Sequence, residues 1–274
     1  MTKPRVYDPV KVRAALAGQA EVLRGAVREL CARPDAEEML NRPTRLGDWK
    51  VRQLVAHLGQ ALEMLPGRLD GPVPGGDPLP LVEWVGLTRT AAAAVEEMVE
   101  EHARKAFGGT PEEVAREFDR AADALLSALD RPEVAEPGRK FASRFGPILM
   151  TDVLVTRLVE AVVHADDLAD ALGLAGFPHV KQAVAAVTRL LADAFAAQVP
   201  GGSVELRIPP YAVVQAVPGP RHTRGTPPNV VETDPLSWIR LATGRTDWAA
   251  AVESTAVSAS GERSDLSGYL PVMG

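Results

Sequence analysis

The sequence is short of almost everything that marks a secreted, disulfide-held or membrane-spanning chain. It has a single cysteine, Cys31, so no internal disulfide can form, and a lone thiol fits a reducing cytoplasm. No apolar run approaches the ~18 residues that a spanning helix needs. The opening MTKPRVYDPV has no hydrophobic stretch of the kind a secretory signal carries. A basic excess is missing too: 30 Lys and Arg stand against 36 Asp and Glu, a net charge of −6 with a pI near 5.5. Such a balance gives no general attraction to nucleic acid. Lysine is scarce, 6 against 24 arginines, which together with abundant alanine reflects a GC-rich coding bias more than a function. Phosphate-loop, dinucleotide, nucleophile-elbow and HExxH motifs are all absent from the sequence.

What remains is a chain of 274 residues, 46% hydrophobic, ample for a buried core. Asp8-Pro9 caps a first helix whose Leu16, Leu23, Val27 and Leu30 recur at helical spacing. After a polar loop from Asn41 to Asp48, the stripe Val51, Leu54, Val55, Leu58, Leu62 and Leu65 predicts a second helix. Leu69 to Pro80 is a Gly/Pro loop. Further helices are expected over roughly 81–106 and 111–129, then a long one from about Pro147 to Leu172, stopped by Gly173. These helices make an up-and-down bundle of four or five members, with no sheet expected between residues 10 and 170. Beyond Phe177-Pro178, a helix over about 181–199 gives way to alternation of period two. Val204, Leu206 and Ile208 form one strand, 211–217 a second, and 256–260 with the last residues further short ones. Asp234-Pro235 caps a short helix. The fold class is therefore α+β with two domains, 1–175 and 176–274.

Five histidines offer the chemistry. On the long helix TDVLVTRLVEAVVHADDLADALG, Glu160 and His164 are four apart and share a face, with Thr156 and Asp167 extending the stripe. The other bearings are apolar, so the stripe faces solvent or an interior cleft. A carboxylate and an imidazole so placed suit one divalent ion; a solvated Glu–His pair is the plainer alternative. His57 flanks the apolar stripe of the second helix. It completes a set of two imidazoles and one carboxylate, the composition of a zinc site with an open fourth position. Cys31, among helical apolar residues, is expected to pack. Trp49 is expected to pack the start of the second helix.

RPTRLGDWKVRQLVAHL and RLVEAVVHADDLADALG resemble the two signatures of the DinB-like, mycothiol-dependent maleylpyruvate isomerase family, over about residues 10–175. The resemblance implies that His57, Glu160 and His164 hold a divalent metal, zinc foremost, with nickel or iron accepted by the same donors. TDPLSWIRLATGRTDWAAAVESTAVSASGERSDLSGYLP is similar to bacterial sterol-carrier-like domains, small sheets backed by helices around an apolar groove.

The resemblance further implies mycothiol as a cofactor thiol. Its metal-held thiolate would add to an activated double bond, permit rotation and leave, or would stay attached as in a transferase. An acidic substrate needs cationic anchors. Arg89 on the third helix is a catalytic candidate, and Arg157, one turn before Glu160, a candidate for the cofactor. Arg221, His222 and Arg224 form a basic loop in the second domain. Asp167 is expected to support a ligand histidine. The expected partners are thus a small molecule and a low-molecular-weight thiol in the cytoplasm, without nucleic acid. A non-catalytic carrier of an apolar ligand is the alternative.

Overall fold

The computed structural model describes residues 5–136, 138–219 and 227–274. In chain order its elements are α1 (Pro9–Cys31), α2 (Ala36–Leu40), α3 (Val51–Glu63), α4 (Leu81–Leu87), α5 (Ala92–Ala106), α6 (Pro111–Leu129) and α7 (Pro132–Ala135), then β1 (Lys140–Ser143) and β2 (Gly146–Leu149). The long helix α8 (Met150–Ala171) and α9 (Lys181–Gln198) follow. The chain finishes with β3 (Val204–Ile208), β4 (Ala212–Ala216), β5 (Val230–Thr233), α10 (Pro235–Ala242), α11 (Trp248–Glu253) and β6 (Val257–Ser260). The chain forms two compact units: Val6–Leu79 with Ala91–Ala183, and a second built on Pro80–Thr90 with Val184–Gly274.

The first unit is a helical bundle. Helices α1, α6, α3 and α8 close a ring in which each packs on two others, and α5 lies against α3. The helix starts follow from local chemistry. The Asp8 carboxylate accepts from the amides of Val10 and Lys11 while Pro9 takes the first turn, and Thr110 and Glu113 form a reciprocal cap around Pro111 at the start of α6. Leu16, Leu23, Leu54, Leu58, Phe118 and Leu125, all wholly buried, fill the ring's interior. At ~25 cal/mol per Å² of apolar surface, each is worth roughly 1.5–3 kcal/mol. Helix α8 ends in a Schellman turn: Leu174 N–H reaches Ala169 O and Gly173 N–H reaches Asp170 O, with Gly173 at φ +68°.

Two features depart from the sequence expectation. A two-stranded hairpin, β1–β2, precedes α8, so residues 10–170 do contain a small sheet and the long helix starts at Met150 instead of Pro147. Phe141 and Ile148 face each other across it, both buried, and that cross-strand pair outweighs three more helical residues. The Ser143 hydroxyl on Gly146 O, at 2.7 Å, closes the turn. The segment expected as one helix over 81–106 is interrupted at Thr88–Ala91 by a 3₁₀ turn. Thr88 and Thr90 spend their hydroxyls on the carbonyls of Val85 and Leu87, the local competition that weakens a helix interior. Helix α4 accordingly clusters with the second unit.

In the second unit the strands run β4-β3-β5-β6. β3 pairs antiparallel with β4 and parallel with β5, and β5 antiparallel with β6. Val204, Leu206 and Ile208 point inward, as their alternation predicts. Phe195 of α9 meets Trp238 of α10 edge-on at 5.6 Å. Strand β5 was not legible: Val230–Thr233 is too short, after a Pro/Gly-rich loop, to show a period. The last residues supply a 3₁₀ turn, Ser267–Tyr269, and no strand.

Candidate metal centre

The neighbouring helices α3 and α8 bring three donor side chains together. His57 Nε2 lies 3.1 Å from Glu160 Oε2, and His164 Nε2 lies 3.3 Å from the same oxygen. All three potential ligand atoms fall within 4.8 Å of one another. The two imidazoles stand at right angles, centroids 4.6 Å apart. The origin of this arrangement is the helix period. Glu160 and His164, one turn apart, project from the face of α8 that packs on α3, and Val153, Leu154, Leu158, Val159 and Val162 bury the rest.

The surroundings fix the protonation preferences. Burial pushes the Glu160 carboxyl upward, but hydrogen bonds from His164 and His57 outweigh it and hold the group well below the usual carboxylate range. Burial drives His57 down, more strongly than Glu160 raises it. Burial acts on His164 the same way, yet Asp167 and Glu160 prevail and raise it. Asp167, fully buried, takes His164 Nδ1 at 2.8 Å. His57 Nδ1 is buried with no hydrogen-bond partner among the described residues. Its ring instead leans on Trp49, centroids 5.3 Å apart, so Trp49 packs against the centre itself.

Arg157 lies beside the carboxylate. Its Nη2 is 3.8 Å from Glu160 Oε1, its Nε donates weakly to Thr156 Oγ1 at 3.3 Å, and burial pulls its guanidinium down. Arg89 is exposed in the 3₁₀ turn after α4, and its guanidinium donates to the Pro271 carbonyl within the second unit. Arg221, His222 and Arg224 lie outside the described residues. Cys31 is a buried free thiol that burial pushes up to about 11, a poor nucleophile.

Two side chains, Arg45 and Asp166, escaped the sequence reading. Arg45, in the loop before α3, donates through Nε to Asp167 Oδ1 and through Nη2 to Asp166 Oδ2, both at 2.7 Å. The signal was present as the acidic cluster Asp166, Asp167 and Asp170 at the end of a mostly buried helix, which asks for a cation. Nothing local to the sequence says which of 24 arginines supplies it.

A helical bundle with two imidazoles and a carboxylate converging inside it, followed by a small α+β unit, defines a class of helical-bundle proteins with a candidate metal site. The comparisons with known proteins narrow the class. The sequence model of the mycothiol maleylpyruvate isomerase N-terminal domain matches residues 20–169, more than half of the chain, and that of the bacterial SCP orthologs matches residues 180–272. The chain belongs to the mycothiol maleylpyruvate isomerase family. In fold it is similar to the crystal structure of the mycothiol-dependent maleylpyruvate isomerase, with a TM-score of 0.61 at 15% identity and 97% of each chain covered. It is likewise similar to a histidine-to-alanine mutant of that enzyme, with a TM-score of 0.59 at 14% identity and the same coverage. A search of curated sequences finds no match. No helix among the described residues is long and apolar enough to cross a membrane.

Proposed function

We propose that the chain is a metal-dependent, mycothiol-using isomerase or S-transferase acting on a small, acidic, electrophilic alkene such as maleylpyruvate, with His57, Glu160 and His164 as the metal ligands. The observation that carries this reading is the donor geometry. Metal–ligand bonds of ~2.0–2.1 Å at tetrahedral angles place ligand atoms ~3.3 Å apart, and the two nitrogen–oxygen separations here are 3.1 and 3.3 Å. A divalent ion held there, zinc first, supplies a Lewis acid that brings a thiol's pKa toward neutrality.

The chain's own side chains do the rest. Glu160, kept ionised, and His57, kept neutral by burial, present lone pairs to one point. Asp167 accepts the Nδ1 proton of His164, leaving Nε2 free to face that point. Arg157 offers a fork with little protein competition, suited to the carboxylate of the substrate or of the cofactor thiol. The protein's own thiol is buried elsewhere, so an external thiol is required.

The two-domain division at 1–175 and 176–274 is part of the proposal. The matched ranges support it, with α4 lent to the second unit. A cytoplasmic setting, where such thiols are kept reduced, fits the single buried cysteine.

The test is elemental analysis of the purified chain, combined with mycothiol-dependent isomerisation of maleylpyruvate. About one equivalent of metal, lost in His57→Ala, together with thiol-dependent turnover, is expected. Less than a few tenths of an equivalent, unchanged in His57→Ala, would contradict it and favour a carrier working through the second domain. Metal without turnover would leave an interaction protein that has kept the site.

A further inference from the structure

The loop ahead of α3 is held more firmly than its Pro, Arg and Gly content suggests. Thr44 N–H and Oγ1 both reach Trp49 O, Trp49 N–H reaches Leu46 O, and Val51 N–H reaches Arg42 O. The Leu46 amide returns to Thr44 Oγ1 at 3.1 Å, and Gly47, at φ +58°, makes the turn that a residue with a Cβ adopts at a cost. This closed loop projects two side chains to the centre. Trp49 meets the His57 ring, and Arg45 crosses to α8.

There Arg45 joins two adjacent carboxylates through two parallel N–H donors on one edge of its fork, Asp167 at Nε and Asp166 at Nη2, with Asp170 at 3.9 Å from Nη1. The Asp167 oxygen not bound by Arg45 Nε is the one that takes His164 Nδ1. With both oxygens engaged, that carboxylate cannot rotate away.

We infer that Arg45 is the positioning residue of the centre. By clamping Asp166 and Asp167 it holds the Nδ1–H of His164 on Asp167 and turns Nε2 toward Glu160, and by closing the loop on α8 it seats Trp49 against His57. One guanidinium thereby orders both imidazoles, which come from different helices. Lysine, a point charge, cannot make the two parallel bonds. The role in metal binding rests on the reading of His57, Glu160 and His164 as ligands; the role in holding the His164 Nδ1–H on Asp167 does not.

The test uses the full chain. In the metal-free chain, ¹H–¹⁵N spectra report the His164 Nδ1–H, and competition with a chelator reports zinc affinity. Wild type is expected to show a downfield, slowly exchanging Nδ1–H held by Asp167. Arg45→Ala should lose that signal and bind zinc roughly 10- to 100-fold more weakly, the usual cost of losing such support, with Arg45→Lys recovering only part of it. A wild-type Nδ1–H signal in Arg45→Ala, with zinc affinity within about twofold, would overturn the inference. If Arg45→Ala fails to fold, Arg45→Lys decides by the same readouts, since it keeps the charge and loses the fork. If wild type itself binds no zinc, the metal reading falls, and the Nδ1–H comparison alone upholds or overturns the role of Arg45.

Discussion

The two units bury different kinds of polar residue. Among the described residues, the helical unit buries His57, Asp166 and Asp167 alongside Thr156 and Gln19, whereas the second buries Thr188, Ser203, Asn229, Thr233, Thr243 and Ser264. The second set is neutral and mostly closes backbone. Ser203 donates to Val217 O, Asn229 to Ser203 O, Thr233 to Ala256 O, Thr243 to Ile239 O and Ser264 to Gly261 O. Such bonds satisfy turns and strand ends and call for no ligand. Three of the first set, His57, Asp166 and Asp167, are ionisable and bond side chain to side chain, at a desolvation cost that a bundle with so apolar a core has no structural need to meet. Perturbed titratable groups concentrated on one face mark the functional region. Under the proposed function that region is the α3–α8 face.

The contrast can be broken from either side. Trp238→Ala, in the second unit, should cost about 3–5 kcal/mol of stability by chemical denaturation while the folded variant keeps its metal stoichiometry. Loss of metal from the folded variant would show that the centre depends on the second unit's core. Asp167→Asn should do the reverse. We expect about 2 kcal/mol of destabilisation, because Arg45 loses half of its pairing, and metal affinity lower by roughly 10- to 100-fold. Unchanged affinity in titration calorimetry would reduce Asp167 to a structural role.

Asn229→Ala should cost about 1–2 kcal/mol, since it strips Ser203 O of its donor and Arg263 N–H of its acceptor, with no effect on metal. The smallest effect is expected at Asp152, on the first turn of α8, whose carboxyl burial pushes up to about 6. A folded pKa above the unfolded one makes the native state hold its proton longer. Stability is therefore lost as pH rises from about 4 through 6. The N-terminal amides of α8 offset part of that cost. Asp152→Asn should match wild type near pH 4 and exceed it by about 1 kcal/mol at pH 7.5 in urea unfolding. Equal stability at both values would show that the group is solvated.

Much of this contrast was legible in the sequence, for reasons that lie in particular residues. The caps at Asp8 and Asp234, the stop at Gly173 and the alternation of Val204, Leu206 and Ile208 are local, and local patterns survive folding. The stripe Glu160–His164 is local as well, one turn of one helix. The partnership of His57 with that stripe, about a hundred residues away, came from resemblance and not from spacing. The β1–β2 hairpin was missed because Phe141 and Ile148 gain from each other and not from any period. Strand β5 was missed because its order comes from β3 and β6 on either side. Arg45 was missed for the same reason at the level of charge: its partners lie more than a hundred residues downstream.

The central claim is that the buried ionisable face of α3 and α8 exists to hold a metal ion. Its most direct test is metal content by mass spectrometry in wild type and His164→Ala, with circular dichroism as the control on folding. The account predicts about one equivalent of divalent metal in wild type, little in the variant, and unchanged helical content, since a bundle of this size carries its own core. Metal-free wild type that cannot be loaded with zinc, or a folded variant that binds it equally well, would contradict the account.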